Sequence, residues 1–281
     1  MRVEVRFEPK GVPVIAAPWL ERALTKEEST IREGEISLHI KRESGKICLN
    51  ATCFDESELI ALIPKMKDKI YAVLDEGLIP LEIRSKHYYK LKALDQPKHP
   101  TLEIDGIHMH RISRVDPWKD TLSKIRPLKI RKGEKVLDTC MGLGYTAIAA
   151  RRLEADVITV EKNEEVIELA TWNPWSSGLK DVKVIMGDVS QVIKSFDDES
   201  FDKIIHDPPA FSIAGELYSY EFYLELYRVL KSGGRLFHYT GAPSKSRPFD
   251  ITRSVMKRLS EVGFIVKKVP NALGVLATKP Y

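Results

Sequence analysis

The 281-residue chain has little cysteine: only Cys48, Cys53 and Cys140. They make no pair of CxxC motifs, which argues against a zinc ribbon, and an odd count argues against a disulfide framework. Three buried thiols acting as small apolar side chains are expected. No apolar run approaches the roughly 20 residues that span a bilayer. The opening stretch MRVEVRFEPK carries charge where a secretory signal needs an apolar core. A cytoplasmic protein with no membrane partner is therefore expected. Excess charge is also scarce, since 44 Lys and Arg face 40 Asp and Glu and leave a net +4. Internal repeats and low-complexity segments are absent too. What is present suits a folded globular protein, with 43% hydrophobic and 30% charged residues.

The length accommodates two domains. Residues 1–100 read as a small α+β domain, in which VEVRF and ISLHIKR alternate apolar with polar residues as half-buried strands do. ESELIALIPKMKDKIYAVLDEG has helical spacing, with Pro64 expected to kink or break it. LDQPKHP, with two prolines, reads as a linker. Residues 101–281 form the second domain, opening with TLEIDGIHMHRIS, a hairpin turning at Asp105-Gly106. After Lys132 strands and helices alternate regularly: VLDTC, YTAIAARRLE, DVITVEK, EEVIELATW, VKVIMGD, FDKIIHD, SYEFYLELYRVL, GRLFHYT and DITRSVMKRLSEVG, closed by FIVKKV and GVLATKP. Alternation of this kind predicts an α/β fold, a doubly wound, mostly parallel sheet covered on both faces.

In such a sheet ligands bind beyond the carboxyl ends of the strands. The first strand runs into Asp138-Thr139-Cys140-Met141-Gly142-Leu143-Gly144-Tyr145. Gly142 and Gly144 let the backbone turn tightly and approach a ligand. Ala147 stands where a dinucleotide site would carry a third glycine, so the loop alone leaves a nucleotide open. Glu161 ends the second strand, where an acidic side chain can accept from ribose hydroxyls. Asp188 ends the third, within reach of an adenine amino group. The fourth strand ends in His206-Asp207-Pro208-Pro209-Ala210-Phe211. Successive prolines lack N–H groups and hold their neighbours extended, which leaves carbonyls facing a substrate. His206 points to the opposite face of its strand and reads as a core histidine. The tyrosines and phenylalanines from Tyr218 to Tyr227, and Trp172 and Trp175, read as packing groups.

From Asp116 to Tyr281 these positions resemble class I methyltransferases. The resemblance implies a Rossmann-like domain that binds S-adenosylmethionine through Asp138, Cys140, Gly142, Gly144, Tyr145, Glu161 and Asp188. The Asp207-Pro208-Pro209 turn resembles the loop of methyltransferases that modify exocyclic amines of bases. There Asp207 and the Pro208 carbonyl would orient the amine, and Phe211 would stack on the base. The sequence departs from the pattern at Ala210, where the aromatic residue usually stands. With its small N-terminal domain, the arrangement is similar to a group of archaeal predicted RNA methyltransferases. That implies cytidine N4 of ribosomal RNA as first choice, with adenine N6, guanine N2, or a small-molecule methyltransferase or aminopropyltransferase activity as alternatives. No metal is implied. Methylation at cytosine C5 needs a cysteine nucleophile near the fourth loop, and none lies there.

The charge distribution bears on the partner. Between Arg84 and Lys132 thirteen Lys and Arg face five acidic residues. His87, Tyr88, Tyr89, His99, His108, His110 and Trp118 interleave with them. Cations among stacking groups suit an RNA surface, and equally suit a solvated face.

Overall fold

Val, Ile and Leu crowd the short segments after Lys132, and in the computed structural model they form the middle of an eight-stranded sheet. The structure describes residues 2–241 and 251–281. Across the sheet the strands run Val3–Val5, Lys183–Met186, Asp156–Glu161, Lys135–Asp138, Phe201–His206, Leu230–Tyr239, Gly274–Thr278 and Ile265–Val269. The five from Lys183–Met186 to Leu230–Tyr239 pair in parallel, and the flanking pairs are antiparallel. Lys135–Asp138, earliest of the parallel five in the chain, sits at their centre. Strand order reverses on either side of it, so the loops after Asp138 and His206 open at one switch point, where α/β sheets hold their ligands.

Parallel strands covered on both faces must be apolar nearly throughout. Leu137, Val160, Ile185, Ile204 and Leu236 are fully buried, packed with Phe222, Tyr223 and Leu226 of helix Tyr220–Val229. Val255 and Leu259 of helix Ile251–Val262 complete that core. The doubly wound α/β expectation holds. Asp250, first residue of the expected DITRSVMKRLSEVG helix, lies outside the described residues.

Two compact units form, each discontinuous in sequence. One comprises Met1–Arg6, Lys119–Glu164 and Asp181–Tyr281, the other Phe7–Trp118 and Glu165–Lys180. The division falls after Trp118 rather than near residue 100. VEVRF is a strand as expected, but it serves the large sheet, with Val3 opposite Met186. The second unit holds three small antiparallel sheets and the helices Ala17–Lys26 and Glu56–Met66. The hairpin at Asp105-Gly106 forms, joining Thr101–Ile104 to Ile107–His108.

Two expectations in this unit are corrected. The helix expected to continue past Pro64 ends at Met66, and Ile70–Leu74 is a strand. Lys67 turns the backbone out of the helix at φ 53°. Beyond it, the alternating burial of Ile70 and Ala72 follows the strand period. The cysteines are not three buried thiols either, because Cys48 and Cys53 form a disulfide. They sit directly opposite each other in neighbouring strands, where two β-carbons come within bridging range. Only Cys140 is free.

Glu33 is fully buried in this unit and accepts Val14 N–H at 2.7 Å through Oε2. Among the described residues Oε1 finds no partner. Burial pushes the carboxyl from 4.5 up to about 8, with the Val14 bond opposing. A carboxyl raised on folding favours the protonated native state, so stability falls as pH rises from about 4.5 through about 8. Glu33→Gln removes that titration. Its stability relative to wild type should climb between pH 5 and pH 9 by up to about 4 kcal/mol, read from thermal unfolding in a buffer series. A difference that stays flat over that range would contradict this account.

Candidate active site

The loop after Lys135–Asp138 is shaped by hydrogen bonds the sequence does not advertise. Asp138 is wholly buried, and its two oxygens accept from Thr159 Oγ1 at 2.7 Å and Thr146 Oγ1 at 3.2 Å. It thereby ties its own strand end to the neighbouring strand and to helix Tyr145–Arg151. Burial raises its pKa to about 7, with Thr159 opposing. Met141 N–H reaches the Val160 carbonyl at 2.8 Å, and Gly144 N–H closes back on the Met141 carbonyl at 2.8 Å. Gly142 and Gly144 have φ of 53° and 77°, left-handed values that cost a side-chain-bearing residue strain. Among the described residues, a Cβ on Gly142 would meet no atom within 4 Å beyond its chain neighbours. That leaves the loop's backbone open to close approach. Tyr145 is buried, and burial holds the Cys140 thiol well above its ordinary pKa, the opposite of an activated nucleophile.

Glu161 bridges two loops. Its Oε2 accepts Gly142 N–H at 3.0 Å, while Oε1 accepts Lys162 N–H at 2.9 Å and Asn163 N–H at 3.0 Å. Burial raises its pKa against those three bonds. An acceptor-only group beside the open face of Gly142 fits the hydroxyls of a ribose. Asp188 caps the turn after Lys183–Met186, accepting Ser190 N–H at 3.0 Å and pairing with Lys162 at 2.8 Å. Burial alone would raise its pKa, but the bonds from Lys162 and Ser190 outweigh that and lower it.

On the other side of the switch point, Asp207 follows strand Phe201–His206. Its carboxylate is gripped by Lys124, whose Nζ lies 2.5 Å from Oδ2. Lys124 also pairs at 2.9 Å with Asp120, four residues earlier on helix Pro117–Ile125. Burial raises the Asp207 pKa, with Lys124 pulling the other way. The Pro209 carbonyl accepts the Tyr218 hydroxyl at 3.0 Å. Phe211 meets the Tyr218 ring edge-on, centroids 5.4 Å apart. His206 is the core histidine expected, fully buried between Thr139 Oγ1 at 2.7 Å and the Leu217 carbonyl at 3.0 Å. Its pKa is pushed down to about 4 by burial.

A model of a methyltransferase domain matches residues 130–262. An uncharacterized protein of Methanocaldococcus jannaschii is 54% identical over 227 residues, 79% of this chain and 78% of that one. A tRNA (guanine-N(7)-)-methyltransferase of Staphylococcus epidermidis is 30% identical over 159 residues, 54% of this chain and 69% of that one. The chain belongs to the class I S-adenosylmethionine-dependent methyltransferases. Spermidine synthase from Thermotoga maritima shares the fold, with a TM-score of 0.56, 19% identity and coverage of 75% of this chain and 74% of that one.

The methyltransferase takes S-adenosylmethionine as its cofactor, and the donor set described above suits it. Asp138, Gly142, Gly144 and Glu161 are joined by direct bonds or by one loop, and Asp188 connects to them through Lys162. Tyr145 and Cys140 flank the same turn. Sequence reasoning missed Thr146 and Thr159, which hold Asp138, and Tyr218, which holds the Pro209 carbonyl. It also misplaced Lys124, counting it with surface cations, whereas its side chain is 2% exposed. Asp120 four residues before Lys124 was a legible helix pair, but nothing local pointed to Asp207.

Proposed function

We propose that this methyltransferase transfers a methyl group to an exocyclic amine of an RNA base, with cytidine N4 in ribosomal RNA the first choice. The observation that carries the reading is the Asp207-Pro208-Pro209 turn, which leaves the sheet beside the cofactor loop with its carboxylate already oriented. An exocyclic amine is a poor nucleophile because its lone pair is delocalised into the ring. N–H bonds from the amine to Asp207 and to the Pro208 carbonyl favour a pyramidal nitrogen whose lone pair points at the methyl group. The bound cofactor supplies that methyl group in electrophilic form. Phe211, packed edge-on against Tyr218, would stack on the base. Adenine N6 and guanine N2 present the same N–H geometry to this turn. A target in folded RNA has to be unpaired or flipped out to enter.

RNA as substrate is further supported by the tRNA substrate of the Staphylococcus relative and by the basic stretch from Arg84 to Lys132. Within that stretch, Lys90 and Lys92 are engaged by Asp68 and Glu103, and Lys124 is buried. Arg126, Lys129, Arg131 and Lys132 are exposed. Reversing these four should weaken RNA binding and flatten its salt dependence by roughly one unit of log–log slope per lost phosphate contact. Affinity for S-adenosylmethionine should stay unchanged. An unaltered salt slope would leave them an ordinary solvated face.

The deciding experiment is mass spectrometry of nucleosides from ribosomal and transfer RNA of cells with and without the gene. One methylated nucleoside should vanish on deletion and return when purified enzyme and methyl-labelled cofactor are added. A methyl group found on ring carbon, or no difference in any RNA, would overturn the reading.

A further inference from the structure

Lys124 carries its ammonium out of water and up to the Asp207 turn. It is 1% exposed, and a cation withdrawn this far from water must be compensated by its neighbours. Two carboxylates compensate it, Asp120 at 2.9 Å and Asp207 at 2.5 Å. The face of the Tyr239 ring lies 4.2 Å from Nζ. Asp120, on the same helix as Lys124, and the Tyr239 ring meet this charge as well as Asp207 does. The contact to Asp207 does something more, because Asp207 belongs to the acceptor turn at the end of another element.

We infer that Lys124 is the positioning residue of the methyl-acceptor site, holding Asp207 as an oriented carboxylate. The inference rests on the role given to Asp207 above. A free carboxylate rotates about its last torsion and presents either oxygen. With Oδ2 tethered to Lys124, Oδ1 is left to take the N–H of the incoming amine, and the geometry is set before the substrate arrives. The charges around Asp207 make the tether necessary. Asp120 from its helix and Asp138 from the cofactor loop both oppose another negative charge, and burial does the same. The Cys140 thiol is held protonated nearby. Among the described residues named here, Lys124 is the cation that works against all of these, pulling the Asp207 carboxyl back toward its ionised form.

The test uses the full-length enzyme with RNA from the deletion strain. Lys124→Met strands two buried carboxylates and can unfold the chain, so Lys124→Met/Asp120→Asn, which removes one charge of each sign, is made beside it. Either variant that binds S-adenosylmethionine within threefold of wild type counts as folded. In it, kcat should fall at least about 30-fold with KM for RNA changed less than about threefold, as expected for loss of a transition-state interaction. The acid limb of the kcat–pH profile should move up by at least about one unit. Lys124→Arg, which keeps the charge, should recover most of the rate. A folded variant with unchanged kcat and pH limb refutes the inference.

Carboxyl-carbon NMR keeps this separate from the substrate question. The Asp207 resonance, assigned by its loss in Asp207→Asn, should titrate at higher pH once Lys124 is gone. If wild type methylates no RNA, the reading of the substrate fails, and this titration still decides whether Lys124 governs Asp207. An unmoved midpoint refutes it.

Discussion

Asp207→Asn should lower kcat by about 10²–10³, or about 2.7–4 kcal/mol of transition-state stabilisation, the scale of one positioned polar group aimed at reacting atoms. Asparagine keeps the shape of the side chain but loses the anion that accepts the amine N–H strongly. Lys124 then retains Asp120 as its counter-ion, so the fold should survive, and affinity for S-adenosylmethionine should change less than about threefold. The ionised form of Asp207 is the active one in this account, so the wild-type rate should rise with pH through its pKa. Burial raises that pKa, which places the acid limb above the range of an ordinary solvated aspartate. In Asp207→Asn the limb should vanish along with most of the rate. Single-turnover assays across pH provide both readouts. A variant that keeps wild-type turnover and its acid limb would remove Asp207 from the chemistry.

Glu161→Ala should weaken S-adenosylmethionine by about 1.5–3 kcal/mol, roughly 10- to 150-fold in Kd, the scale of hydrogen bonds to a charged group. Two losses add here. The ribose hydroxyls lose their acceptor, and the Gly142, Lys162 and Asn163 N–H groups are left without the carboxylate that gathers them. S-adenosylhomocysteine should weaken by the same factor, because the two molecules share the nucleoside half. The rate at saturating cofactor should change much less. Calorimetry with both ligands tests this, and an unequal effect would move Glu161 from the ribose to the reacting end.

The parallel core and the loops at its carboxyl edge were legible because each rests on short-range pattern. Strands of Val, Ile and Leu alternating with amphipathic helices admit few arrangements, and a glycine pair after the first strand marks a close backbone approach whatever surrounds it. Acidic residues at successive strand ends carry their meaning in register with that alternation. The Asp-Pro-Pro turn is likewise local, since its stiffness lies in the proline rings.

What the chain could not disclose by itself depends on residues far apart in it. Val3 pairs with Met186 across the whole molecule, and a three-residue strand has the same local pattern in either unit. The end of the second helix at Met66 was hidden because IYAVL suits a helix or a strand, and pairing of Val14–Ala16 with Ile70–Leu74 decided it. Cys48 and Cys53 are five residues apart, and only the hairpin between them brings their sulfurs together. Lys124 gives the clearest case. In sequence it is one lysine among thirteen basic residues. In the fold it lies 83 positions from its carboxylate and 2.5 Å away. Composition and periodicity determine which groups the sheet presents at its carboxyl edge. Which of them meet, and which charges are buried, is settled only when burial forces each ammonium and carboxylate to find a partner in space.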